Sequence, residues 1–234
     1  MTIDLHGKWA LVTGASRGIG RQIAMGLADK GCNLVLHGRQ REHCAPVERE
    51  LASAVKVVAL GAELSVEPDV HRLVREALMT SGGIDVLFNN AAIMTPYRKN
   101  FAEVTPEDYR RSFEVNVIAP AIITHGLLPR MLERRFGRIV QVTSGIRNEP
   151  ELMAYAASKA ALDKLVRDTV VKLHGTGVTM NLLDPGWLRT DLGGPNAPNS
   201  VESVMPGALV PALVDDNVQG QWFSAQDYAG KSAG

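Results

Sequence analysis

The chain has 234 residues, long enough to bury a full core, with 45% hydrophobic and 21% charged residues, ordinary proportions for a globular protein. Lys+Arg and Asp+Glu number 25 each, so the formal net charge is zero, which argues against a nucleic-acid or membrane-surface partner. Cys32 and Cys44, the two cysteines, fit no zinc or disulfide pattern; a reducing cytoplasm is the expected setting, with no metal centre. The first residues show no basic stretch leading into an apolar core, so no signal peptide is expected, and no apolar run approaches the ~20 residues that span a bilayer.

Short apolar runs alternate with longer helix-period segments. A strand is expected over 9–12, then a helix over 18–30 with Ile19, Ile23 and Leu27 on one face and a stop at Gly31. A strand over 34–36, a helix over 42–51 and a strand over 55–60 follow. The next helix spans 66–79, with Leu73, Val74 and Ala77 on its apolar face, and a fourth strand spans 86–88. A long helical region over 105–134 should break near Pro120 and Pro129. A strand over 138–142, a helix over 154–174 and a strand over 178–183 continue the series. The tail from Gly193 is richer in Gly, Pro, Asn and Ser, and reads as a loop and short helix before a last strand over 221–223. This alternation predicts an α/β fold: a doubly wound parallel sheet of Rossmann type, about seven strands with helices on both faces, in one domain over 1–234.

Two constellations carry chemistry. Thr13-Gly14-Ala15-Ser16-Arg17-Gly18-Ile19-Gly20 lies between the first strand and the first helix. Glycines there let the backbone turn tightly, and the helix N-terminus offers free N–H groups to a pyrophosphate. Tyr155 and Lys159 stand four residues apart, one turn along one helix face. A tyrosine hydroxyl titrates near ~10 when unperturbed. A neighbouring cation favours the phenolate, so the pair reads as a tuned general acid/base.

Six ordered motifs resemble those of the short-chain dehydrogenase/reductase family, in its single-domain branch. Thr13 to Gly20 is similar to its cofactor motif and Tyr155-x-x-x-Lys159 to its catalytic motif. Asn89-Asn90-Ala91-Ala92 resembles its Asn-Asn-Ala-Gly motif, and Asn116 its helix-four asparagine. Thr143-Ser144-Gly145 stands where the family keeps its serine, and 185–190 resembles its Pro-Gly motif. The resemblance implies hydride transfer between a nicotinamide cofactor and a carbonyl or secondary alcohol, for example a 3-ketoacyl thioester or small ketone. It implies that Tyr155 exchanges the proton, Lys159 lowers the phenol's pKa and holds the ribose, and Ser144 bonds the substrate oxygen. Thr143 is an alternative for the serine's role. Asn116 is expected to help hold a relay water.

The cofactor contacts implied are Gly14, Ser16, Arg17, Gly18, Ile19 and Gly20 in the loop, Glu63 and Leu64 beside the adenine, and Asn90 and Ala91 on the ribose side. Lys159 should hold the nicotinamide ribose hydroxyls and Leu188 and Thr190 should meet the carboxamide, with Tyr155, Pro185 and Gly186 as further cofactor contacts. The second strand ends in His37-Gly38-Arg39, with no acid for the ribose hydroxyls. Arg39 with Arg17 could clamp a 2′-phosphate, so NADP(H) is favoured, with NAD(H) possible. Departures are Ala92 in place of glycine, which could crowd the cofactor if φ is positive, and a short interval between Ser144 and Tyr155. The short segment after Gly186 should be a mobile or irregular lid. Met94, Leu152, Met153, Trp187 and Met205 could form an apolar wall or simply pack. A homotetramer or homodimer is expected through the helix before the fifth strand and the helix bearing Tyr155, whose Ala157, Ala160, Ala161 and Leu165 could instead meet the sheet. The competing reading is a catalytically silent dinucleotide-binding regulator or scaffold.

Overall fold

The computed structural model describes residues 3–215 and 217–231. Strands β1 (Trp9–Thr13), β2 (Asn33–Gly38), β3 (Val57–Gly61), β4 (Val86–Asn89), β5 (Gly137–Val142), β6 (Val178–Asp184) and β7 (Trp222–Ser224) form one sheet in the order β3-β2-β1-β4-β5-β6-β7, every pair parallel. The doubly wound parallel sheet expected from the sequence is therefore present. The order reverses between β1 and β4, and that switch point opens a crevice at the strands' C-terminal ends.

Helices α1 (Gly18–Asp29), α2 (Ala45–Leu51), α3 (Glu67–Ser81), α4 (Pro106–Phe113), α5 (Ala119–Glu133), α6 (Met153–Thr169) and α7 (Val210–Leu213) cover the two faces. The central strands β1, β2 and β4 are apolar on both sides because both sides are covered. In β1, Ala10 and Val12 join one core with Ile23 and Leu27 of α1, while Leu11 joins the other with Leu73 of α3 and Ile123 of α5. Leu34 and Leu36 against Val35 repeat the alternation in β2. Each fully buried Leu or Ile is worth about 1.5–3 kcal/mol over leaving it in water.

Two boundaries differ from expectation. The long helical region breaks not at its prolines but at a π-turn over Glu114–Ile118. Pro120 sits in the first turn of α5, where no N–H is required, and Pro129 is carried inside α5. The helix bearing Tyr155 ends at Thr169 and passes into a 3-10 turn over Val170–Lys172. The whole helical run Pro106–Glu133 is long and apolar enough, by length and composition, to cross a membrane, and part of it is buried inside the fold. On α6, Ala154, Tyr155, Ser158, Lys159, Leu162 and Val166 are buried. Ala160 is exposed and Ala157, Ala161 and Leu165 only half-buried, so that face does not meet the sheet.

Candidate active site

The glycine loop is fixed by neighbours from three strands. Thr13 ends β1; its hydroxyl donates to the Phe88 carbonyl at 3.3 Å and accepts the N–H groups of Asn90 at 2.9 Å and Ala91 at 3.0 Å. The Asn90 amide donates to the Thr13 carbonyl at 2.8 Å and the Gly14 carbonyl at 3.3 Å. His37, opposite Thr13 in register, accepts the Gly14 N–H on Nδ1 at 3.2 Å. Its Nε2 must then carry the proton, donated to the Ala62 carbonyl 3.0 Å away. Burial pushes the His37 pKa below its usual value, so the ring stays neutral. A Cβ on Gly20 would lie 2.1 Å from the Gly14 carbonyl oxygen. Arg17, the residue before α1, is extended and makes no side-chain cap. The first N–H groups of α1 therefore face the crevice unpaired by a cap, beside half-buried Ser16 and Ile19. The donor set fits a pyrophosphate.

The other expected cofactor residues scatter around this cradle. Arg39 is exposed past the end of β2, with no hydrogen-bond or ion-pair partner among the described residues. Arg17 bridges to Asp191 at 2.8 Å, both side chains largely exposed. Glu63 turns its carboxylate back to accept from the Ser65 N–H and hydroxyl, and Leu64 is buried. Leu188 is buried, and Thr190 lies against Gly18, within 3.5 Å of where a Cβ would stand. The Pro185 carbonyl accepts from Gln226, and the Gly186 N–H donates to Asp184. Ala92 does not adopt a positive φ, so its methyl brings no backbone strain.

β5 and α6 assemble the reactive groups. Ser144 follows the end of β5, and its hydroxyl lies near enough to the phenol of Tyr155, a residue 6% exposed, to act on its titration. Burial pushes the Tyr155 phenol up from its usual value; the Ser144 hydroxyl opposes this and the Asp184 carboxylate adds to it. The expected lowering by Lys159 is not what this geometry gives. The Lys159 ammonium donates to the Val142 carbonyl at 2.8 Å and sits 5.8 Å from the Tyr155 ring centre. Burial lowers the Lys159 pKa to about 8, with Asp163 opposing. Asn116, in the π-turn, is fully buried. Its amide accepts the Ile93 N–H, and donates to the Ile93 carbonyl and the Ser158 hydroxyl, at 2.9–3.0 Å. The side chain thus pins the segment after β4 to α6.

The segments that follow three of the strands expose large apolar side chains. Met94, Tyr97, Met153, Trp187 and Leu192 expose between 36% and 61% of their surface on the segments after β4, β5 and β6. Met205 is not part of this wall; it packs against Gly26 of α1 in the core. The segment after Gly186 is irregular but tied to itself: Trp187 donates to the Gly193 carbonyl at 2.7 Å, and Arg189 to the Ala197 and Pro198 carbonyls. Thr13, His37, Asp163 and Asp184 join the site beyond the residues expected from the sequence: the β1–β2 register pairs Thr13 with His37, the Thr143 hydroxyl reaches Asp163 on α6, and Asp184 acts on Tyr155 from the end of β6.

The family described as short chain dehydrogenase matches residues 8–200. A relative from Pongo abelii, "Inactive hydroxysteroid dehydrogenase-like protein 1", is 33% identical over 83% of this chain, and the match spans only 60% of the relative's length. "Hydroxynaphthalene reductase-like protein Arp2" from Metarhizium anisopliae is 36% identical over 87% of this chain and 77% of its own. Among solved structures, a 3-oxoacyl (acyl-carrier-protein) reductase from Agrobacterium tumefaciens C58 with NADP bound superposes with a TM-score of 0.82 at 28% identity, covering 94% of this chain and 93% of that one.

Proposed function

The chain belongs to the short-chain dehydrogenase family, and from that premise we propose that it is an NADP(H)-dependent oxidoreductase acting on a carbonyl or secondary-alcohol substrate. The observation that carries this reading is the Ser144–Tyr155 hydroxyl pair beside a buried Lys159, at the strand ends that also bear the glycine cradle.

A nicotinamide cofactor held in this crevice would supply or accept the hydride. Gly14, Ser16, Gly18, Ile19 and Gly20 would hold the pyrophosphate on the N-terminus of α1. Arg39, exposed and unpartnered among the described residues, and Arg17 would meet the 2′-phosphate. Ala91, Leu188 and Thr190 would flank the nicotinamide end. Asn90, whose amide is engaged by Thr13 and Gly14, would act by shaping the loop.

In reduction, Ser144 donates a hydrogen bond to the substrate oxygen and steadies the charge developing there. Tyr155 then gives that oxygen its proton. A phenol kept protonated by burial is already in the donor state. Lys159, cationic below about pH 8, would hold the nicotinamide ribose hydroxyls. Asn116 holds the π-turn against Ile93 and Ser158, which keeps α6 in register with the site.

A 3-ketoacyl thioester or a small ketone fits the apolar wall of Met94, Met153 and Trp187. We also propose assembly as a homotetramer or homodimer through α5 and the uncovered face of α6. The silent-regulator reading keeps one observation in its favour, the relative described as inactive. NADPH consumption across a ketone panel tests the proposal. Tyr155→Phe should lower kcat by about 10²–10⁴-fold while NADPH affinity stays within about twofold. Full activity in that variant, or NADPH binding without turnover of any ketone, rejects it.

A further inference from the structure

Helix α6 holds the end of β5 at two successive residues. Lys159 donates to the Val142 carbonyl at 2.8 Å, and the Thr143 hydroxyl donates to Asp163 Oδ1 at 2.5 Å. Asp163 follows Lys159 by four residues, so both lie on one helix face. Thr143 runs directly into Ser144, whose hydroxyl acts on the Tyr155 phenol and favours its ionised form. We propose that Asp163 is a positioning residue of this site, tying Thr143, and with it Ser144, to the helix face that carries Tyr155 and Lys159. The inference rests on the oxidoreductase reading for the reaction it serves, and on the contacts alone for its geometry.

The charges around Asp163 support a second consequence. Lys159 and Arg167 face it from α6, Thr143 from β5, and Asp184 from β6. Burial raises the Asp163 pKa; the Thr143 bond and the two cations oppose, and Asp184 adds. In return Asp163 favours the ammonium form of Lys159. Asp184 acts on Tyr155 instead, raising its phenol. The two carboxylates therefore divide between the two reactive groups. Removing Asp163 should loosen the Ser144–Tyr155 contact and make Lys159 easier to deprotonate.

Two NMR titrations on the full chain test this without a known substrate. Lysine labelled with carbon-13 at Cε reports Lys159, assigned with Lys159→Met; tyrosine labelled at Cζ reports Tyr155, assigned with Tyr155→Phe. Asp163→Asn keeps an acceptor for Thr143 and removes the charge. It should move the Lys159 midpoint acidward, from about 8, by roughly half a pH unit or more. Thr143→Val keeps the charge and removes the tie, so it should raise the Tyr155 midpoint by weakening the effect of Ser144. Thr143→Ser should restore the wild-type value. A Lys159 midpoint that stays put in Asp163→Asn, or a Tyr155 midpoint that stays put in Thr143→Val, overturns the proposal. Failure to bind or consume NADPH would instead reject the oxidoreductase reading, with both titrations still readable.

Discussion

The two ends of the crevice are built on opposite electrostatic plans. The glycine cradle is held by neutral groups: Thr13, Asn90 and a His37 ring kept uncharged by burial, each hydrogen-bonded to backbone. The end that bears Tyr155 buries a cation, Lys159, and sets the carboxylates of Asp163 and Asp184 close enough to shift its neighbours. Satisfied neutral networks stabilise a fold, whereas a buried charge costs stability that function must justify. One end is organised for shape and the other for reactivity.

The largest expected effect therefore comes from Lys159. Its pKa is lowered from 10.5 to about 8 in the folded chain. Between those values the unfolded chain binds more protons than the folded one. Stability from this group thus rises as pH climbs from about 8 to 10.5, and the penalty is fully present below 8. Lys159→Met should add roughly 3 kcal/mol to unfolding free energy at pH 7 while abolishing NADPH turnover. Chemical denaturation at pH 7 and pH 10.5 checks it: the gain should shrink at the higher pH. A variant less stable than wild type at pH 7 would break the contrast between the two ends.

At the cradle the sign reverses. A methyl at Gly20 would stand 2.1 Å from the Gly14 oxygen and 2.6 Å from Asn90 Nδ2, so Gly20→Ala must push the loop apart. The expected loss is about 2–3 kcal/mol, with NADPH affinity falling alongside. Thermal melts with and without NADPH measure both.

His37 separates the two plans by pH. A histidine with a depressed folded pKa contributes stability that is full above its ordinary 6.5 and is lost as pH falls below it. His37→Ala should cost about 2 kcal/mol at pH 7.5, through two lost hydrogen bonds and a cavity. The gap between wild type and variant should narrow towards pH 5, where wild type alone pays for protonating the ring. A gap independent of pH would mean that His37 is not held neutral.

These residues also mark where the sequence is readable. Strands β1, β2 and β4 stand out because burial on both faces makes them almost continuously apolar, as Leu34-Val-Leu36 shows, whereas β7 is three residues long and only partly buried. Tyr155 and Lys159 are legible because a helix fixes their spacing locally. The π-turn at Glu114–Ile118 carries no proline or glycine to announce it, and its partner Ile93 lies 23 residues away. His37 matters because β1 and β2 pair Thr13 with it, and Asp163 because Thr143, the residue after β5, donates to it. Asp184 acts on Tyr155 from a different strand. Long-range register, absent from any local pattern, decides all three.

The smallest expected effect lies where the two ends touch. Arg17 of the cradle pairs with Asp191 of the segment after β6 at 2.8 Å, with side chains 66% and 74% exposed. An exposed pair of this kind is worth less than about 1 kcal/mol and weakens with salt. Asp191→Asn should therefore leave the melting temperature nearly unchanged. Its consequence is for binding: with Asp191 neutral, Arg17 no longer divides its charge between a carboxylate and the 2′-phosphate. NADPH should bind about two- to fivefold more tightly at low salt, NADH should not change, and the difference should fade as salt is raised. An equal gain for NADH would place Arg17 away from the 2′-phosphate and leave that role to Arg39 alone.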